Sequence, residues 1–239
     1  SSMVYRLSKA GDSRMAKASG PRKISLSANP TPEALAELQI GDIVYLTGTV
    51  YTAREGVYIR VLENGEALPL KLPEESAANF HCSPAATQND DGSFVMGAVT
   101  ATASFRFSKW IGPWMKASGA KLIIGKGGMS PADYRDHFVP NGAVYLTTVG
   151  YGTGALLGRG VKGVKDLHWR GELGLAQAMW VLDVENFGPF IVESDLAGNS
   201  LFERENARIV ASLDSVYEGT QPAVLKRFGE TDDRSDELI

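Results

Sequence analysis

The chain has 239 residues, with 24 Lys and Arg against 28 Asp and Glu, for a formal net charge of −4. That balance gives no global positive field for nucleic acid or an anionic membrane surface. With 44% hydrophobic and 22% charged residues it reads as an ordinary globular chain, long enough for one large or two small cored domains.

Ser1-Ser2-Met3 reads as an added leader, and residues 1–30 read as a flexible N-terminal arm, rich in Ser, Ala, Lys and Arg without an apolar period. Thr31-Pro32 opens a short helix to residue 38, Thr capping the free amides and Pro fitting the first turn. Residues 42–52 (DIVYLTGTVYT) are β-branched and aromatic and predict a strand. Asn64-Gly65 predicts a tight turn and residues 89–92 a loop, with mostly extended chain between them. Strand 94–102 follows. Then come a helix over 105–117, disturbed by Gly112-Pro113, a buried strand over 121–124 and the turn Gly125-Lys126-Gly127-Gly128. A helix from Ser130-Pro131 to about residue 138, a strand over 143–149 and a short helix over 154–158 continue the alternation. Strands over 179–184 and 189–194, a turn at Ala197-Gly198-Asn199 and a closing helix over 202–216 complete it. The pattern predicts an α/β fold, a layered β/β/α domain with a mixed sheet over 31–217, and a charged C-terminal tail over 218–239.

The single cysteine, Cys82, excludes an internal disulfide and cannot by itself hold an iron–sulfur cluster, which needs three or four thiolates. It reads as a half-buried thiol. The three histidines, His81, His137 and His168, have no metal-ligand spacing, so no metal site is predicted on this chain. Apolar runs fall far short of the roughly 20 residues that span a bilayer. No signal peptide is recognisable, and a cytoplasmic location is expected.

The glycine loops are ambiguous chemistry. Gly150-x-Gly152-x-Gly154 lacks the dinucleotide spacing, and Gly125-Lys126-Gly127-Gly128 lacks the Ser or Thr of a phosphate loop. A self-contained nucleotide enzyme is thus disfavoured. Arg54, Arg106 and Lys126 each follow a predicted strand. Singly, each reads as a solvated surface charge. Together, they have the chemistry to clamp a dicarboxylate.

Four segments in this order carry a family resemblance: GDIVYLTGTVYTAR (41–54), KLIIGKGGMS (121–130), DLHWRGELGLAQAMWVLDVENFGP (166–189) and DLAGNSLFE (195–203). With VGYGTGALLGRGVK (149–162), they resemble the β subunit of L(+)-tartrate dehydratase and the C-terminal domain of class I, iron–sulfur fumarases, from about Gly41 to Asn206. The resemblance implies a swivelling β/β/α domain. It also implies an α-subunit partner holding a 4Fe-4S cluster whose open iron acts as a Lewis acid, a small 2-hydroxy dicarboxylate substrate and a dimer of αβ pairs. Carried over residue by residue, Arg54, Arg106, Lys126 and Gly127 bind substrate, with Arg106 and Lys126 stabilising the charge that develops. Thr102 matches the proton-abstracting base, with Thr100 its rival.

Three departures cluster around these residues. Arg54-Glu55-Gly56-Val57-Tyr58 stands where the family has Arg-Asp-x-x-His. Thr100-Ala101-Thr102-Ala103 replaces Gly-Pro-Thr-Thr, and His81-Cys82-Ser83-Pro84 replaces His-Ala-Gly-Pro. They point first to a different substrate, and second to a non-catalytic binding or assembly module that retains the fold. The catalytic reading expects Arg54, Arg106, Lys126 and Thr102 to converge in one concave pocket.

Overall fold

The computed structural model describes residues 20–72, 74–150 and 152–219. The expected arm and tail lie outside these residues, except over 20–30 and 218–219. Inside the expected arm, Lys23–Ser27 is a strand, β1, which corrects the reading of 1–30 as a uniform arm. Ile24 and Leu26 alternate with polar neighbours, and Leu26 packs into the core. That period of two is the signature of a half-buried strand.

The helix α1 (Pro32–Ala36) opens as predicted, with the Ala34 amide donating to Thr31 Oγ1 at 3.3 Å. β2 (Ile43–Thr52) runs into α2 (Glu55–Tyr58), which continues as a π turn over Ile59–Glu63. β3 (Ala78–Phe80) follows, and β4 (Cys82–Gln88) and β5 (Phe94–Ala101) form a separate two-stranded hairpin. A 3-10 turn at Phe105–Phe107 leads into α3 (Ser108–Ser118). Pro113 does not interrupt α3. Ile111, Trp114 and Met115 are buried on either side of it, and this packing offsets the lost backbone bond.

After β6 (Leu122–Gly125), α4 (Pro131–Asp133) passes through a π turn, Tyr134–Phe138, into α5 (Val139–Asn141). Ser130 and Asp133 form a reciprocal capping box at its start. β7 (Val144–Thr148), α6 (Thr153–Gly160), β8 (Val161–His168), α7 (Arg170–Gln177) and β9 (Met179–Ser194) come next, and α8 (Leu201–Tyr217) closes the described chain.

Seven strands form one mixed sheet in the order β1-β2-β3-β6-β7-β9-β8. One edge of β9 pairs with β8 through its first half and with β7 through its second. Its other edge runs antiparallel to β2. That last pairing closes β2, β3, β6, β7 and β9 into a ring. Alternate residues serve two cores. Leu122, Ile124, Val144 and Leu146 face the ring interior with Phe80, Trp180 and Phe190. Ile123 and Tyr145, between them, face the helices and meet Ile111, Tyr134 and Phe138. A third cluster packs Tyr51, Val57 and Tyr58 against Phe107, Trp110 and Trp114. No helix among the described residues is long and apolar enough to cross a membrane.

The two strands expected over 179–194 are a single strand of 16 residues. Asn186 adopts φ +48°, and the pairing with β2 shifts register between Val44 and Gly48. The Asn-Phe-Gly-Pro stretch is thus an irregularity inside a strand, with the fully buried Phe187 as its anchor. Besides β1, three elements have no counterpart in the sequence reading: α2 with its π turn, β8 and α7. β8 is an edge strand with exposed lysines at 162 and 165. α7 begins after Trp169 at φ +59° and breaks at Gly174, so it carries no clean helical period.

Candidate active site

β2, β3, β6 and β7 are mutually parallel, so their carboxyl ends lie along one edge, where α/β sheets hold ligands. Arg54 follows β2, His81 follows β3, Lys126 follows β6 and Gly150 follows β7. The Thr102–Arg106 segment, leaving β5, crosses the same edge. The Thr102 amide donates to the His81 carbonyl, the Lys126 amide to the Thr102 carbonyl, and the Ser104 amide to the Lys126 carbonyl. This crossing needs a glycine at 125. A Cβ there would stand 2.0 Å from Ser104 Oγ and 2.8 Å from the Tyr145 hydroxyl.

The predicted residues divide between two cavities rather than sharing one. Arg54 and Arg106 line a small cavity of about 120 Å³ with Glu55 and Phe107. Lys126 and Gly127 line a larger one, about 590 Å³, with Thr100, Thr147 and the glycines at the start of α6. The Thr102–Arg106 segment runs between them, with Ala103 in the wall of the larger and Arg106 in that of the smaller. Thr102 lines neither and is only 8% exposed. Thr100 is exposed and lies in the Lys126 cavity.

Arg54 is the residue before α2, held in place by donating from Nη1 to Ser83 Oγ and, at 2.9 Å, to the Ala176 carbonyl. Burial, and then the neighbouring Arg106 charge, lower its pKa. Two like charges at one cavity destabilise each other until an anion sits between them. Among the described residues, Arg54, Arg106 and Lys126 form no ion pair with a carboxylate. The charges of all three are therefore unneutralised by an ion pair, and the Arg106 and Lys126 side chains are exposed to a ligand.

Beneath this edge lies a polar chain that sequence reading did not find. Asn79 Nδ2 donates to the Tyr58 hydroxyl at 2.7 Å, which meets His81 Nε2 at 2.6 Å. His81 Nδ1 lies 2.7 Å from Ser104 Oγ, which accepts from the Tyr145 hydroxyl at 2.7 Å. All five side chains are fully buried. From sequence, His81 is only one of three histidines without metal-ligand spacing. The available signal was a His, a Ser and two Tyr at strand ends or on an apolar face, in a stretch otherwise rich in apolar residues. Cys82 itself is 1% exposed, which corrects its reading as half-buried. Burial pushes its thiol pKa up, against the opposing effect of Arg54.

Burial first, and Arg54 second, push the His81 pKa down to about 3 from its ordinary 6.5. Below pH 6.5 the unfolded chain takes up a proton that folded His81 refuses. Stability is therefore lost as pH falls from about 6.5 towards 3, at about 1.4 kcal/mol per unit from this group. Denaturant midpoints between pH 7 and 5 are expected to show a shallower fall for His81→Gln than for the parent. Equal slopes would mean that His81 is free to protonate in the folded chain.

The described residues contain no group of three or more His, Cys, Asp or Glu side chains placed to hold a metal ion. With the one thiol buried and kept protonated, this chain's own donors do not fit an iron–sulfur cluster.

Comparison with known proteins matches residues 5–205 to the family model described as Fumarase C-terminus. The chain is 35% identical over 189 residues to a protein of Methanocaldococcus jannaschii provisionally assigned as L(+)-tartrate dehydratase subunit beta, covering 78% of this chain and 94% of that one. It is 33% identical over 188 residues to the L(+)-tartrate dehydratase subunit beta of Escherichia coli K12, covering 78% and 90%. A Geobacillus stearothermophilus protein provisionally assigned as a class I fumarate hydratase is 30% identical over 182 residues, which are 76% of this chain and 34% of that one.

Proposed function

This chain belongs to the Fumarase C-terminus family, and from that premise we propose that it is the β subunit of a hydro-lyase that dehydrates or hydrates a small 2-hydroxy dicarboxylate. Tartrate, and the malate/fumarate pair, are the leading substrates, since its relatives are named for tartrate dehydration and fumarate hydration. The observation that carries the reading is the pair Arg54 and Arg106, which face one cavity and, among the described residues, have no carboxylate ion-pair partner. The planar fork of Arg106 matches a carboxylate in bidentate fashion, and Arg54, whose Nη1 is engaged by Ser83 and Ala176, adds its charge and its Nη2 donor.

In this proposal the arginine pair holds one carboxylate, and Lys126, with the Gly127 amide, holds the other from the far side of the 102–106 segment. The cations stabilise the negative charge that builds on the carboxylate as the neighbouring C–H proton leaves. The 4Fe-4S cluster belongs to the α partner, and the active form is a dimer of αβ pairs. The two cavities lie on either side of the 102–106 segment of one domain, and the swivelling expected of this family carries both together towards the α partner.

Proton removal falls to a threonine hydroxyl of the 100–102 stretch. Thr102 has the family's position, but Thr100 shares a cavity with Lys126, and a nearby ammonium favours the ionised hydroxyl that a base requires. Thr100→Val is expected to lower kcat about 10²-fold in the αβ complex, and Thr102→Val less than tenfold. The reverse order in an anaerobic assay would return the role to Thr102.

The test of the whole reading is to purify the chain without oxygen together with its native partner. Malate, the tartrates and methyl-substituted analogues are then offered. Oxygen-sensitive turnover of one of them is the expected result. A stable complex with an intact cluster and no turnover would overturn the catalytic reading in favour of a binding or assembly module.

A further inference from the structure

The buried polar chain touches, in turn, each of the segments that carry a site cation. Tyr58 ends the helix that starts just after Arg54. Ser104 lies within the segment that carries Arg106, whose backbone is tied to Lys126 on both sides of Ala103. Tyr145, on β7, donates to Ser104 Oγ and lies 3.4 Å from the Lys126 carbonyl, so it ties Ser104 to the start of the lysine turn. His81 stands in the middle. Its ring joins Tyr58 to Ser104, and its own amide and carbonyl bond Ile124 and Thr102.

The surroundings keep this chain rigid. The Tyr58 ring packs against Phe107 and Trp114, at centroid distances of 5.6 and 4.8 Å, and the His81 ring against Phe107 at 4.8 Å. A hydroxyl or imidazole buried this deeply strongly favours its partner over any alternative, because an unmade bond leaves a desolvated polar atom. The spacing of the bonded partners is thereby imposed on the segments they belong to.

We infer that Tyr58, His81, Ser104 and Tyr145 act as one positioning device, a buried hydrogen-bonded chain that holds the segments of Arg54, Arg106 and Lys126 at a fixed spacing. None of the four touches the ligand. Their effect on catalysis runs through the cations they place. The departure to tyrosine at position 58 then has a structural reason, since a residue there must reach both Asn79 and His81 from the end of α2. This inference rests on the carboxylate-binding role proposed above for the three cations.

A double-mutant cycle on kcat/KM in the αβ complex tests it. Tyr58→Phe removes one oxygen from the chain and is expected to lower kcat/KM by ten- to a hundredfold, the scale of a small misplacement of a binding group. With Arg54→Ala already present, the same change is expected to cost several-fold less than in the parent, since only the share carried by Arg106 and Lys126 remains. An equal loss in both backgrounds would show that Tyr58 does not act through Arg54, and would overturn the inference.

A second readout needs no turnover. In the full chain, Tyr58→Phe and Ser104→Ala are each expected to speed hydrogen exchange of the Lys126 amide, which donates to the Thr102 carbonyl, about tenfold. Unchanged exchange at the Lys126 amide in both variants would also overturn the inference. If the complex turns over none of the substrates, the carboxylate reading fails by itself, and the exchange measurement alone decides whether the four side chains act as a unit.

Discussion

Arg106→Ala is expected to lower kcat/KM of the αβ complex by roughly 10³-fold, about 4 kcal/mol of transition-state stabilisation. The side chain is exposed and makes no ion pair among the described residues. Its loss therefore leaves the fold intact, and the thermal midpoint is expected to stay within a degree or two of the parent. Arg106→Lys is expected to recover little. A lysine restores the charge but not the planar fork that shares a carboxylate with Arg54. The check is steady-state kinetics of both variants beside their unfolding curves. Full activity in Arg106→Ala would remove the arginine pair from the site. Activity regained in Arg106→Lys would mean that charge alone suffices there.

The second large effect is on stability and falls on a residue without a side chain. Gly125 ends β6 where the Thr102–Ser104 crossing passes over it. A methyl group at that position would overlap Ser104 Oγ and press on the Tyr145 hydroxyl and the Thr102 carbonyl, the last at 3.2 Å. Ser104 cannot turn away cheaply, because its oxygen is bonded to both His81 and Tyr145. Gly125→Ala is therefore expected to destabilise the chain by about 3 kcal/mol, the upper range for overpacking a filled interior. In a chain of this size that is a fall of roughly 6–12 °C in the midpoint. Addition of Ser104→Gly, which empties the overlapped space, is expected to return part of the loss. A parent-like midpoint for Gly125→Ala would show that the crossing is looser than described.

Much of the frame was legible because the apolar period was clean. The residues of β2, β5, β6 and β7, and the position of each site cation just past a strand, follow from alternation and from glycine punctuation. The resemblance placed the chain in the family that comparison then identified. What escaped notice had a physical cause in each case. β1 is only 5 residues long and sits in a polar, low-period stretch. β9 reads as two strands because Asn-Phe-Gly-Pro is strong turn chemistry locally, overridden by pairing along both of its edges. The division of the cations between two cavities depends on how the Thr102–Arg106 segment crosses the sheet edge. The buried polar chain joins residues from α2, the β3–β4 junction, the β5 exit and β7, so no sequence window contains it.

The closure of the sheet by β9 also bears on how the chain reaches this structure. Val44, near the start of the fold, faces Phe190, near its end, so the ring depends on a contact of very long sequence separation. Such contacts form late, since the loop entropy must be overcome before the pairing contributes. During synthesis, β2 and β7 each present an open hydrogen-bonding edge until β9 emerges from the ribosome. Exposed edges of this kind are templates for pairing with other chains. The interval before β9 arrives is thus the point at which a nascent chain is most open to mispairing, and truncation before residue 179 would make that state permanent.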